Sequence, residues 1–166
     1  MGKLIEGVFS MKEEEVITTI DLVSDYFLSK QKVTNKKLQK MCYYAYSWYL
    51  TLYDKHLFDD GKFEAWVHGP VNPKLYNKYK AFGWRIINET VTVSSQLSSE
   101  LKDFLDMIYN TFSNYSGDEL ENMTHQEAPW IEARKGISSE IPSNQIINDN
   151  TIKSFYSNLM VQGQLE

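Results

Sequence analysis

Three histidines, one cysteine and several clustered carboxylates are the residues of this chain that could carry chemistry. His56, His68 and His125 stand far apart, with no HxxxH or HExxH pair of the kind that places two zinc ligands on one helix face. Cys42 paired with His68 or His125 would make a cysteine hydrolase. Against that, Cys42 lies on an apolar helical stripe, where cysteine acts as a small buried hydrophobe rather than an activated thiolate. The acid clusters Glu13-Glu14-Glu15 and Asp59-Asp60 read as a helix start and a turn. There is no GxSxG elbow, no GxxxxGK[ST] loop and no GxGxxG fingerprint. The expectation is therefore no catalytic residue, no metal site and no cofactor.

A different density of unusual residues lies between Trp66 and Pro73, where Trp66, His68, Gly69, Pro70, Asn72 and Pro73 crowd one short segment. Glycine and two prolines stiffen this backbone, and a stiff loop loses little entropy on binding. The segment is either a buried corner that orders two helices or a shaped recognition surface.

The elements that must position these residues follow from periodicity and capping. Ser10 with Glu13 forms a capping box, and Val16, Ile17, Ile20, Val23, Phe27 and Leu28 continue a helical stripe, predicting a helix from about 10 to 29. Thr34 is set to cap a second helix over about 34–53. On it, Leu38, Met41, Cys42, Ala45, Trp48, Tyr49 and Leu52 make one apolar row. Tyr43, Tyr46, Leu50 and Tyr53 make another, about 120° further round. Only Lys36, Lys37, Lys40, Ser47 and Thr51 are left as a polar face. A helix this apolar is either central to the fold or meets a partner with one row. The Tyr43, Tyr46 and Tyr53 row is the first place to look for that contact.

Short strands are expected near 63–67 and 84–93, at most a small hairpin. Asn72 and Pro73 predict a helix start, and Gly83 its end. Ser98 or Ser99 opens a helix carrying Leu101, Phe104, Leu105, Ile108 and Phe112. Ser116 with Glu119 is a further capping box, with Leu120 and Met123 facing inward. Pro129 starts a short helix ending at Gly136, and a final helix spans about 149–161 with Ile152, Phe155, Tyr156 and Leu159 together. The fold class is mainly α: a helical bundle around a central aromatic helix. It comprises a loose lead-in over 1–9 and one helical domain over 10–166.

The bulk numbers agree with one ordinary domain: 166 residues, 42% apolar, 14% aromatic and a net charge of −5. A lone cysteine fits a reducing compartment. With no signal core and no run near the roughly 18 apolar residues of a membrane span, the expected location is the cytoplasm. Acidic composition argues against general nucleic-acid binding. One local exception is the window from Tyr26 to Tyr53, which has no Asp or Glu but holds Lys30, Lys32, Lys36, Lys37 and Lys40. It is either a solvated face or a basic patch.

The segments LQKMCYYAYSWYLTLYDKHLF and FEAWVHGPVNPKLYNKY resemble the Panacea domain of antitoxins, a family with SocA-like and phage-associated GepA-like members. Leu38, Lys40, Met41, Tyr43 and Tyr44 match its LxKLLYY-type helix, with Met41 where leucine is commoner. Ala65, Trp66, Gly69, Pro70, Val71, Pro73 and Tyr76 match an AW-x-x-GPV-x-P-x-x-Y element. Leu120, Thr124, His125, Pro129 and Trp130 match a later part, so the likeness covers about 34–136. It implies a non-enzymatic antitoxin of bacterial or prophage origin that neutralises a toxin from an adjacent gene by protein contact, with no membrane partner. On this reading Tyr43, Tyr46, Tyr53, Trp66, His68, Asn72 and Tyr76 are the candidate partner-binding residues, and a homodimer is left open. The alternative is a DNA-binding regulator of phage or mobile-element origin, because the first two helices and their basic connector superficially resemble a helix-turn-helix.

Overall fold

The structure, a computed structural model, describes residues 16–165. Its first helix, α1 (Ile20–Lys30), is capped by Thr19, whose hydroxyl accepts from Leu22 N–H at 3.3 Å. The Asp60 carboxylate completes the cap from forty residues away, accepting from Ile20 N–H at 3.0 Å. The helix starts later than the stripe predicts. Val16 pairs with His56 as an isolated bridge, and Ile17 and Thr18 N–H donate to the carbonyls of His56 and Leu57, so these residues run extended. The Ser10–Glu13 capping box lies outside the described residues.

Helix α2 (Asn35–Tyr53) begins at the expected cap, Thr34, and ends on Asp54 in the left-handed conformation at φ 54°. It packs against α1, the hairpin and most of the later helices, and Lys37 through Ser47 are all buried. The over-apolar helix is therefore central, and the expected polar face is not a face to solvent. Lys37, Lys40 and Ser47 turn inward with the rest. Leu52 and Tyr53 are the members of the two rows left exposed, at the helix end.

Strands β1 (Glu64–Trp66) and β2 (Gly69–Val71) form an antiparallel hairpin, pairing Glu64 with Val71 and Trp66 with Gly69. The outer edge of β1 is closed by residues 145–147: Ala65 N–H donates to Gln145 O, and Ile147 N–H to Phe63 O. The segment 84–93, expected to supply strands, contributes only an isolated bridge from Ile86 to Thr34. β-branched composition there has no neighbour to pair with, whereas the GPV segment, outside both expected strand regions, is itself the second strand. Pro70 is tolerated because Ala65 opposite it needs no N–H from that position.

Asn72 caps α3 (Pro73–Tyr79), its Oδ1 accepting from Lys74 and Leu75 N–H, and a 3₁₀ turn over Lys80–Phe82 follows. Helix α4 (Ser99–Phe112) buries the predicted stripe of Leu101, Phe104, Leu105, Ile108 and Phe112. Helix α5 (Gly117–Thr124) carries both halves of the Ser116–Glu119 capping box. Helix α6 (Ala128–Ala133) stops short of Gly136, and α7 (Asp149–Leu165) runs beyond the expected end.

The protein is a mainly α, single-domain bundle in which α2 is the hub. Its tyrosines fill the core. Tyr44 stacks on Phe112 with centroids 4.2 Å apart, and Tyr43 meets Phe63 edge-on at 5.4 Å. The hydroxyls anchor distant helices. Tyr44 and Tyr156 both donate to Glu127, at 2.8 and 2.9 Å, and Tyr46 donates to Asp149 at 2.8 Å. Burial pushes the Glu127 carboxyl up to about 7, against the lowering effect of its two tyrosine donors.

Candidate partner-binding site

Three sequence-distant segments meet on the N-terminal half of α2. Gln39 clamps the end of the hairpin by both amide atoms, with Asn72 N–H donating to its Oε1 at 2.9 Å and its Nε2 donating to Asn72 O at 3.2 Å. Lys40, beside it, donates to Pro70 O at 3.2 Å. Gly69 is required above Lys40: φ is +104°, and a Cβ there would stand 2.5 Å from Lys40 Cε and 2.9 Å from Thr124 Oγ1. From the far side, Trp130 Nε1 donates to Trp66 O at 2.8 Å. Arg134, buried, donates to the carbonyls of Ala65, Ser138 and Ile141. The hairpin is thus held by neighbours on every flank.

Between the start of α2, the hairpin, α3 and the start of α5 lies a cleft of about 580 Å³. Trp66, Val71, Tyr76 and Trp84 form apolar walls, while Asn35, Gln39 and Lys40 line it as buried polar residues. Trp66 and Tyr76 meet edge-on at 4.9 Å, and Trp84 stands 88% exposed. His68, like Trp66, lines this cleft and a second cavity of about 470 Å³ bounded by residues 142–144, and its Nδ1 lies 3.1 Å from Glu121 Oε1.

Of the residues predicted to bind a partner, the structure brings Trp66, His68 and Tyr76 together in this cleft. Asn72 lies beneath them, fully buried, as cap and clamp. Tyr43 and Tyr46 are 1% and 6% exposed, so the outward tyrosine row is corrected: their rings are core, enclosed by Phe58 and Phe63. Tyr53 is exposed, but it sits with Tyr49 and Phe104 at the other end of α2, about 27 Å along the helix from the cleft.

The other sequence options also resolve. Cys42 is buried, burial pushes its thiol far up, and the carboxylates acting on it are Asp21 and Asp60. His68 and His125 instead share the field of Glu121, and His125 stacks on Trp130 at 4.1 Å. Burial holds the His125 imidazole below its ordinary value. The lysine-rich window is not a free basic face: two of its lysines are ion-paired and the others donate to backbone carbonyls. Lys30 pairs with Asp106 at 2.8 Å, Lys36 with Asp118 and Glu121 at 2.9 Å each, and Lys32 and Lys37 donate to the carbonyls of Glu89 and Ser113. An α2 buried this completely cannot enter a DNA groove as a recognition helix.

Sequence reasoning missed Trp84, read as part of a strand, and Lys40, read as a solvated companion of Lys36 and Lys37. Arg134 also went unseen, although a lone arginine after an apolar helix end carries little signal in a sequence.

These contacts join the helix, the GPV hairpin and the Thr124–Trp130 segment into one unit, and that unit defines a known class. Residues 38–131 match the family described as antitoxin SocA-like, Panacea domain, and the chain belongs to this family. It is similar to antitoxin SocA of Caulobacter vibrioides (strain NA1000 / CB15N), with 27% identity over 133 residues, covering 73% of this chain and 70% of that protein. No solved structure matches it significantly. No helix among the described residues is long and apolar enough to cross a membrane.

Proposed function

We propose that this protein is a non-enzymatic antitoxin that neutralises a cognate toxin, encoded by an adjacent gene, through direct protein–protein binding. The observation that carries the reading is membership of the SocA-like antitoxin family over residues 38–131. The cleft supports this reading. Its exposed aromatic side chains on a braced hairpin are the residue types that dominate protein interfaces, and a rigid mount limits the entropy lost on docking. Trp66, His68, Tyr76 and Trp84 are the residues assigned to it. The cytoplasm is the location that goes with this reading.

The test is co-expression. The neighbouring reading frame is induced with and without this protein, and the pair is then run on a sizing column. Growth arrest relieved by the antitoxin, together with a stable complex, is the expected result. A neighbour that is harmless alone and forms no complex would overturn the reading.

A further inference from the structure

The lining of the cleft contains polar atoms that the fold leaves without partners. Lys40 is 1% exposed, and its Nζ makes one hydrogen bond, to Pro70 O, although an ammonium carries three donors. Asn35 is 4% exposed, and its Oδ1 has no hydrogen-bond partner at all. Buried groups in this state carry a desolvation cost that an incoming partner can remove. The carboxylate acting on Lys40 is Glu121, already shared by Lys36 at 2.9 Å and His68 at 3.1 Å. At the rim, Asp118 is held by Lys36, while Lys80 has no ion pair among the described residues. The cleft therefore offers cationic groups in want of an anion, walled by Trp66, Tyr76 and Trp84.

We propose that the cleft receives an aspartate or glutamate side chain of the toxin, its carboxylate accepting from Lys40 Nζ and its flanking apolar atoms packing against Trp66, Tyr76 and Trp84. This rests on the direct-binding reading above. Asn35 Oδ1 then takes an N–H of the same inserted segment. The groups facing Lys40 are Lys36 on its own helix and Glu121 and His125 from α5 and its end, and His68 of the hairpin acts in turn on Glu121. Burial lowers the Lys40 ammonium to about 7. A carboxylate placed against it restores the proton, so docking takes up a proton.

The experiment uses the full chain and the toxin that it rescues in co-expression. Binding is measured by calorimetry at pH 8 in two buffers of different ionisation enthalpy. The expected uptake is most of one proton per complex, because a group titrating near 7 is mostly neutral at that pH. Lys40→Met should weaken binding by roughly 30-fold or more and abolish the uptake. Changing one surface Asp or Glu of the toxin to Asn or Gln should do the same, and the two changes together should not add. If Lys40→Met melts early, uptake by the natural protein and the scan of toxin carboxylates decide. Unchanged affinity in Lys40→Met, no proton uptake, or no toxin carboxylate that matters overturns the inference while direct binding stands. Toxin binding that survives Lys40→Met while binding of promoter DNA or inorganic phosphate, or dimerisation, is lost assigns the cleft to another occupant and also overturns it. A neighbour that is not neutralised removes both readings.

Discussion

Replacing Gly69 by alanine tests the junction that holds the cleft together. Two costs add. The backbone sits at φ +104°, where a side chain is strained by about 1–3 kcal/mol. The new methyl would stand 2.5 Å from Lys40 Cε and 2.9 Å from Thr124 Oγ1, both in buried residues, and overpacking of this kind costs about 1–3 kcal/mol. The sum is roughly 2–6 kcal/mol. Gly136 is the control, because its φ is +83° but nothing lies within 4 Å of its absent Cβ, so Gly136→Ala carries only the backbone cost. Urea unfolding of the two variants, with the slope checked for constancy, isolates the overlap as the difference. At roughly 2–4 °C per kcal/mol for a chain of this size, melting curves show it too. In a Lys40→Ala background the excess should shrink, since the crowded atom is gone. If Gly69→Ala is no more damaging than Gly136→Ala, the packing of hairpin on lysine is not the constraint that makes this position glycine.

Other outcomes follow from the same contacts. Trp84→Ala should change stability by no more than about 0.5 kcal/mol, yet weaken toxin binding by roughly 30-fold, read by melting and titration side by side. Tyr43→Ala should cost about 3–5 kcal/mol in urea unfolding, while Leu52→Ala should cost under about 1 kcal/mol because Leu52 is exposed. Arg134→Met should destabilise by roughly 2–4 kcal/mol in the same assay, since three carbonyls lose their donor. Stability should also vary with pH in two opposed limbs. Glu127 titrates near 7 in the fold against 4.5 unfolded, so the folded state holds the extra proton and stability falls as pH rises between those values. Lys40 titrates near 7 in the fold against 10.5 unfolded, so the unfolded state holds the extra proton and stability rises above pH 7. Each limb slopes by at most about 1.4 kcal/mol per pH unit. Glu127→Gln should flatten the first in unfolding titrations and Lys40→Met the second, and a slope that survives its variant belongs to another group.

The helices were legible where a cap and a stripe coincide, as at Thr34, Asn72, Ser98 and Ser116, because both signals are local. The errors have a common cause in contacts made at a distance. Residues 16–18 carry a helical stripe but are held extended by the backbone of His56 and Leu57. The segment 84–93 has strand composition but no partner strand, and a strand exists only by pairing. That Trp66, His68 and Tyr76 share one cleft was legible because the rigid corner is compact in sequence. Lys40 and Trp84 were not. A lysine four residues from another lysine looks solvated until a hairpin is laid across it, and whether a tryptophan is bare depends on what the chain fails to put over it. The Tyr43 row was half right, since such a helix must be covered. The cover turned out to be its own chain.

That cover arrives in a particular order during synthesis. Tyr43 meets the hydroxyl of Tyr156, a residue 113 positions later, and Tyr46 is anchored by Asp149, 103 positions later. At about 5–20 residues per second, a ribosome leaves the central helix without its last wall for roughly 6–23 s. Through that interval the tyrosine rings of the nascent chain are open to other proteins, including chaperones and proteases. An amber stop anywhere before α7 makes the interval permanent.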